Sequence, residues 1–546
     1  MNKIVSVLSV LLLTTFSAFA NNIFQEKRAS WLQKAEASKP VLKVQSVKPI
    51  RIVQPVKDDK AYQGWKYIAD TMQLSTFYNT NFREKKHITV DFGEHLTGYC
   101  TIHIKTLSSV MDAPIRLKLT FGEMPAEMNT PLEPWKSGLS RGWMQDENIT
   151  IEYSDRDIRL PRRVAMRYLN IELLGTSSSY NFAIDKIVFD SETSAGEIKT
   201  ALSPECSDII KDINRIAIAT LKECMQTVYE DGPKRDRRLW IGDMYLESLA
   251  NRYSFKNNQI TKRCLYLFAG LCAKNGVLIC NIYERPDAHA MEWNYLPSYN
   301  LLYIATLLEY YKDTQDIETV TDLWPLAKRQ IDDVLESVGS DFIYDKSKRP
   351  AWIFFDWREG LDIDACMQAC TICALDDICE LARIAGKESE VKEYPTIAKK
   401  MRTAAHKLMY DNKDGVVKSG KDGQVSVLSQ TWMIRAGVLN QKEGQKAIRT
   451  ALGNNTTVMP GTPYATHYLI DAMLTCGMNK EAKDYLTEYW GGMVKKGADT
   501  FFEAYDPNDD FISPYHFFPV NSYCHAWSCT PMYFIHKYPE IFQKNE

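Results

Sequence analysis

Between Glu230 and Asp243 the chain reads Glu-Asp-Gly-Pro-Lys-Arg-Asp-Arg-Arg-Leu-Trp-Ile-Gly-Asp. Four carboxylates and four cations stand beside one tryptophan and a Gly-Pro break. This composition suits a site where one carboxyl group carries a proton while its neighbours stay ionised. Cations keep adjacent carboxylates charged, and burial or a like charge raises the pKa of the group that must be protonated. Trp240 adds a flat apolar face on which a ring substrate can stack. The competing reading is a solvated charge cluster at a helix end, because structural ion-pair networks carry the same residue types.

A buried element must precede such a cluster to position it. Ser203-Pro204-Glu205 is a helix-start signal, with a capping hydroxyl, a proline at the first helical position and an acid in the first turn. Ile209, Ile213, Ile216, Ala217, Leu221, Cys224 and Val228 then recur at three- and four-residue steps, which predicts a helix from 203 to near Tyr229. Gly232-Pro233 prevents its continuation. Further helices are predicted over 297–311, 323–338, 366–385 (closed by Gly386), 395–409, 430–436, 466–476 and 482–490. The loops between them are rich in Trp, Tyr, Asp and Pro. Ten to twelve antiparallel helices with aromatic loops indicate an (α/α)6 barrel over 201–546, with a pocket built by the loops at one end.

Upstream the period is two. His87–Phe92, Tyr99–Ile104, Ile115–Phe121, Val164–Leu174 and Phe182–Phe189 alternate polar and apolar residues, with Gly93, Gly98 and Gly175 as punctuation. Residues 85–200 are therefore expected to form an antiparallel β-sandwich, and residues 21–84 an extended lead-in. The fold class is an N-terminal antiparallel β-sandwich followed by an (α/α)6 barrel.

The ends and the composition narrow the function classes. Lys3, an apolar run from Ile4 to Phe16 and Ala18-Phe19-Ala20 read as a signal peptide (1–20) cut after Ala20, giving an exported protein, periplasmic or extracellular. No other apolar run approaches the roughly 20 residues of a membrane span. A net charge of −3 supplies no basic field for nucleic acid. The 12 tryptophans and 29 tyrosines suit carbohydrate stacking as well as core filling. Thirteen cysteines are an odd number, so at least one is unpaired if all disulfides are internal. Cys366, Cys370 and Cys373 read as small thiols on an apolar helix face, not as metal ligands. No metal or other cofactor is expected. Gly138-Leu-Ser140-Arg-Gly142 matches the serine-hydrolase elbow in letters only, since no strand–helix context surrounds it.

The charged stretch resembles the pattern of glycoside hydrolase family 78, the α-L-rhamnosidases: Asp-x-Pro-x-Arg-(Asp/Glu)-Arg, then Gly-Trp-x-Gly-Asp. Asp231-Gly-Pro233-Lys-Arg235-Asp236-Arg237 matches the first half. Trp240-Ile-Gly242-Asp243 matches most of the second, with Leu239 in place of the glycine. Asp91-Phe92-Gly93-Glu94, Leu96-Thr97-Gly98-Tyr99, Gly122-Glu123 and Arg167-Tyr168 resemble the family's β-domain signature. Phe355-Asp356-Trp357, Glu503 after Thr500-Phe-Phe, and Asn521-Ser522 with His525-Ala-Trp527 continue the likeness to about residue 535.

The resemblance implies an inverting glycosidase that releases terminal α-L-rhamnose from a glycan or glycoside. In such enzymes an acid protonates the leaving oxygen and a base activates water from about 6.5–9.5 Å away. It implies Asp236 as general acid and Glu503 as general base. Asp231 and Asp243 would bind sugar hydroxyls, Arg235 would orient the carboxylates, and Trp240, Asp356, Trp357 and His525 would line the pocket. His289, Glu292 and Trp293, in another barrel loop, are further substrate-contact candidates, with packing as the equal alternative; Tyr464 and His467 have the same standing. Many family members carry glutamate at the acid position or just after it, whereas this chain has Asp236 and then Arg237, leaving Glu230 and Glu247 as fallback acids. A same-scaffold hydrolase of another sugar, or a non-catalytic carbohydrate-binding relative, stays open.

Overall fold

The computed structural model describes residues 23–108, 110–291 and 294–544. The expected signal peptide, Glu292 and Trp293 lie outside the described residues. The chain divides into two compact units, one formed by residues 41–237 and 486–546, the other by 1–40 and 238–485.

The first unit is built on a nine-stranded antiparallel sheet: β1 Lys43–Val47, β2 Arg51–Lys57, β3 Trp65–Ala69, β4 His87–Ser108, β5 Ile115–Gly122, β6 Asp146–Ile151, β7 Arg156–Arg159, β8 Val164–Gly175 and β9 Asn181–Thr193. The main path runs β1-β9-β4-β8-β5-β6, with β2 and β7 also on β4 and β3 on β2. The two predicted strands 87–92 and 99–104 are one 22-residue strand. Gly93 and Gly98 do not end it. Gly93, at φ +85°, lies in a bulge where the register against β8 shifts between Asp91 and Leu96. A Cβ on Gly98 would stand 1.9 Å from the Asp190 carbonyl oxygen, so glycine there permits close strand approach. The first half of β4 thus pairs with β2 and β8, the second with β7 and β9. Ile88, Val90, Ile102, Leu117, Leu169 and Ile187 share the buried core.

The expected lead-in 21–84 is more ordered than its sequence suggests. Residues 23–37 are helical, with Phe24, Trp31 and Ala35 buried along one face, and β1 to β3 follow. The short strands and Pro55 within β2 hid the period-two signal.

The same unit holds helices α1 (Asp208–Cys224) and α12 (Pro531–Lys537). The predicted start of α1 at 203 moves to 208. Ser203 instead closes a turn, its carbonyl accepting from Cys206 N at 3.1 Å and its hydroxyl from Glu205 N at 3.3 Å. The helix also stops early, because Met225 and Tyr229 form a β-bridge.

The second unit is helical: α2 Ile241–Arg252, α3 Asn258–Gly270, α4 Pro297–Thr314, α5 Ile317–Leu335, α6 Asp364–Ala385, α7 Tyr394–Met409, α8 Val427–Arg435, α9 Gln441–Leu452 and α10 Pro463–Thr475. The unit boundary falls within α11, Asn479–Lys495. Alternate helices α2, α4, α6, α8 and α10 touch in sequence as an inner layer, and α3, α5, α7 and α9 pack outside them. Burial follows. Inner α4 is buried on nearly every face, while outer α9 buries only Gly444, Ala447, Ile448 and Ala451. This inner-and-outer layering is that of an (α/α)6 barrel. Gly386 closes α6 in the left-handed conformation at φ +67°. Cys366 and Cys370 are buried on α6 and burial raises both thiols above their usual range, in keeping with packing thiols.

Candidate functional site

In the sheet-bearing unit the chain leaving α1 runs straight into Asp231. Its carbonyl accepts from Ala526 N at 2.7 Å, which ties the charged loop to the C-terminal segment. Asp231 Oδ2 accepts from Asp236 N at 3.2 Å, folding the loop back on itself. Gly232 is required there. A Cβ would lie 2.5 Å from the Arg235 carbonyl oxygen and 2.8 Å from Ser522 Oγ. Arg237 takes the left-handed conformation at φ +62°, its amide donating to Gly232 O at 3.1 Å.

This fold brings Arg235 between two carboxylates. One guanidinium nitrogen pairs with Glu503 Oε2, and the other reaches Asp236 Oδ1 at 3.3 Å and Tyr515 Oη at 3.2 Å. The guanidinium carbon sits 4.3 Å from the Tyr515 ring centre. Burial opposes the Arg235 charge, but Glu503 and Tyr515 hold its pKa well above the usual value. Glu503 is 2% exposed. Tyr515 Oη donates to its Oε1 at 2.5 Å and Ser522 N to its Oε2 at 3.3 Å, so the carboxylate is gripped on both oxygens. The Asp236 side chain keeps 17% of its surface exposed. The arrangement therefore supplies one tightly held, buried carboxylate and one reachable carboxyl group, coupled through a single arginine.

His525 lies against Trp527, with ring centres 4.1 Å apart and planes tilted by 37°. Burial, and then the Arg235 charge, push its pKa well below the usual range, which favours the neutral imidazole. Trp527 Nε1 donates to the Glu503 carbonyl oxygen at 2.9 Å. Phe501 N donates to Thr220 Oγ1 of α1 at 2.8 Å, so the buried helix fixes the strand-like segment that carries Glu503.

The β-domain motif residues are structural. Asp91 accepts from Arg51 Nη2 at 2.7 Å, Arg167 Nε at 3.0 Å and Gly93 N at 2.8 Å, which pins the β4 bulge. Glu123 receives His95 Nε2 at 2.9 Å and Tyr523 N at 2.8 Å. Glu230 is taken by Arg163 in a buried two-pronged pair at 2.8 and 2.6 Å, which removes it as a fallback acid.

The other described candidates, among them Trp240, Asp243, Asp356, Trp357, Tyr464 and His467, belong to the helical unit. Trp240 meets Tyr299 edge-on at 6.3 Å, Tyr299 meets Phe354 at 5.8 Å, and Phe354 meets Trp357 at 4.8 Å. Trp352, half exposed, lies 6.0 Å from Trp357. A Cβ on Gly242 would fall 2.3 Å from the Tyr299 ring, so this glycine lets the ring close on the turn before Asp243. Asp243 is buried in the first turn of α2, and Glu247 one turn later is buried as well. Asp356 accepts from Thr462 Oγ1 at 2.7 Å, Gly461 N at 2.7 Å and Trp357 N at 2.9 Å, and burial lifts its pKa to about 6. Tyr464 and His467 are buried on α10, Tyr464 against Phe354 and His467 against Tyr468.

Sequence reasoning missed Tyr515 and Lys234. Tyr515 sits in an irregular Pro- and Asp-rich loop with no periodicity to mark it. Lys234 was the variable position between two motif residues.

Two family models match. Residues 49–191 match the glycosyl hydrolase family 78 alpha-rhamnosidase N-terminal domain. Residues 200–538 match the bacterial alpha-L-rhamnosidase six-hairpin glycosidase domain. Among solved structures, a rhamnosidase from Klebsiella oxytoca with rhamnose bound is 34% identical, with a TM-score of 0.89, covering 94% of this chain and 99% of that one. A family 78 rhamnosidase of Bacillus sp. GL1 (20% identity, TM-score 0.66, 82% of this chain and 46% of that one) shares the fold. So does a Streptomyces avermitilis α-L-rhamnosidase complexed with L-rhamnose (14% identity, TM-score 0.65, 91% and 44%). No curated protein matches the sequence.

Proposed function

The chain belongs to glycoside hydrolase family 78, and from that membership we propose that it removes a terminal α-L-rhamnosyl group with inversion, acting outside the cytoplasm. The observation that carries the reading is Arg235 bridging Asp236 and Glu503, with Tyr515 closing the grip on Glu503. Asp236, the more exposed carboxyl, gives its proton to the leaving glycosidic oxygen as the C–O bond breaks. Glu503 takes a proton from the water that bonds to the anomeric carbon from the opposite ring face. Positioned acid and base groups of this kind each contribute roughly 10²–10⁴-fold. Asp231 and Asp243 hold sugar hydroxyls. Trp240, Trp293 and Trp357 offer apolar faces, and Asp356 keeps the Trp357 turn in place. Neutral His525 serves as a hydrogen-bonding group with no charge to compete with Arg235. No cofactor takes part in this chemistry. Export rests on the N-terminal pattern from Lys3 to Ala20; a mature protein starting at Asn21 is the expected N-terminal sequencing result.

The test is hydrolysis of 4-nitrophenyl α-L-rhamnopyranoside by wild type, Asp236→Asn and Glu503→Gln. Each variant should lose roughly 10³-fold in kcat. A wild type that ignores this substrate but cleaves another aryl glycoside rejects the sugar assignment. Full activity in Asp236→Asn rejects the acid. Proton NMR of the first-formed product should show the β-anomer, and initial α-rhamnose rejects inversion.

A further inference from the structure

Lys234 is fully buried, and its ammonium has four polar partners. It stands 2.9 Å from Glu127 and 3.5 Å from Glu123, both on the chain just beyond β5. It also donates to the carbonyls of Asn521 at 2.6 Å and Pro519 at 3.2 Å. The next residue, Arg235, sends Nε to the carbonyl between them, Val520 O, at 3.1 Å. Three consecutive carbonyls, Pro519 to Asn521, at the end of the short turn Phe518–Val520, therefore meet two adjacent cations. The residues just after that turn reach two carboxylates. Ser522 N donates to Glu503 Oε2 at 3.3 Å, and Tyr523 N to Glu123 Oε2 at 2.8 Å. His95 closes the far side of Glu123 at 2.9 Å. None of the Lys234 partners is Asp236 or Glu503.

We propose that Lys234 is a positioning residue for the hydrolytic site. Anchored by Glu123 and Glu127, it holds the 519–521 turn so that Ser522 N–H and the Arg235 guanidinium meet Glu503 in register. The inference rests on the glycosidase reading above. Its physical basis is that catalytic geometry tolerates little displacement. A shift of about 1 Å costs on the order of 10²-fold, and here the base is aligned through a three-residue turn. A lysine in this place does what a neutral residue cannot. Its ammonium donates to two carbonyls while its charge balances two buried carboxylates.

Lys234→Met alone leaves the two glutamates with an unmatched buried charge and is expected to lose stability, so the test uses Lys234→Met/Glu127→Gln, which restores the charge balance. The amide introduced by Glu127→Gln keeps an oxygen for Glu123 N, which in the wild type donates to Glu127 Oε2 at 2.9 Å. The double variant should melt within a few degrees of wild type, keep its KM and lose about 100-fold in kcat. A kcat within threefold of wild type would show that Lys234 only balances charge and would overturn the proposal. Glu127→Gln alone, which leaves Lys234 in place without its shortest anchor, should lower kcat severalfold at constant KM; an unchanged kcat there also counts against it. Wild-type turnover is the reference in every arm, so a failure of the glycosidase reading shows in that reference and not in the variant ratio.

Discussion

The sharpest consequence of the site geometry concerns one hydroxyl group. Tyr515→Phe removes the oxygen that donates to Glu503 Oε1 at 2.5 Å and accepts from Arg235 Nη1 at 3.2 Å, and it leaves the ring that Arg235 covers at 4.3 Å. Glu503 Oε2 stays held by Arg235 and Ser522 N–H, so the carboxylate is not lost from the site. What it loses is the second grip. With one oxygen held, the carboxylate can pivot, and Oε1 is the oxygen left to meet water. A hydrogen bond to a charged group contributes about 1.5–3 kcal/mol. At about 1.4 kcal/mol per tenfold, that predicts a kcat lower by roughly 10- to 100-fold. KM should hold within about twofold, because no sugar contact is assigned to the hydroxyl. Phenylalanine fits the same space, so the melting temperature should hardly move. Tyr515→Ala removes the ring as well and should be worse. Steady-state kinetics on an aryl rhamnoside, with a thermal melt as control, decides it. If Tyr515→Phe keeps wild-type kcat while Tyr515→Ala is inactive, the ring under Arg235 matters and the hydroxyl does not, and the argument that Glu503 must be gripped on both oxygens is refuted.

Gly232→Ala places a methyl 2.5 Å from the Arg235 carbonyl oxygen and 2.8 Å from Ser522 Oγ. The loop must shift, and kcat should fall by about 100-fold or more with a smaller effect on the melt. Arg163→Met leaves Glu230 buried without its two-pronged partner and should cost about 3–5 kcal/mol in denaturant unfolding; the double change Arg163→Met/Glu230→Gln should recover much of it. Asp356, lifted to about 6 by burial, is protonated in the folded chain between about pH 4 and 6, where the unfolded chain has already lost that proton. Its contribution to stability is therefore fully present below about pH 4 and falls away as pH rises through 6. The change is about 3 kcal/mol at most. The wild-type slope over that window, reduced in Asp356→Asn, is the measurement.

The two periodicities and the charged motif were legible because each is a short-range pattern. Alternation in β5, β8 and β9 and the three-and-four spacing in α1 follow directly from which faces are buried. Helices α9 and α12 also went unread, and three further features were not legible for a physical reason. β4 read as two strands because glycine marks both turns and bulges, and only the partner strand, with Asp190 O at the Gly98 position, shows that the chain runs on. Helices α2 and α3 escaped notice because an element buried on most faces carries no amphipathic stripe, and in α2 ten of the twelve residues are buried. The third is the grip on Glu503. Arg235 was visible as a motif residue, but Tyr515 lies 280 residues away in a loop without pattern, and Lys234 occupied the one position that the motif leaves open. The β-domain motif, with Asp91, Glu123 and Arg167, names groups that hold the fold, and the motif around Asp236 names the groups assigned to the reaction. The groups that hold those in place need only fill a volume and satisfy a charge, and several residue types at several sequence distances can do so. The positions a family pattern leaves unspecified, next to those it fixes, are therefore where this chain's own solution to holding its base is written.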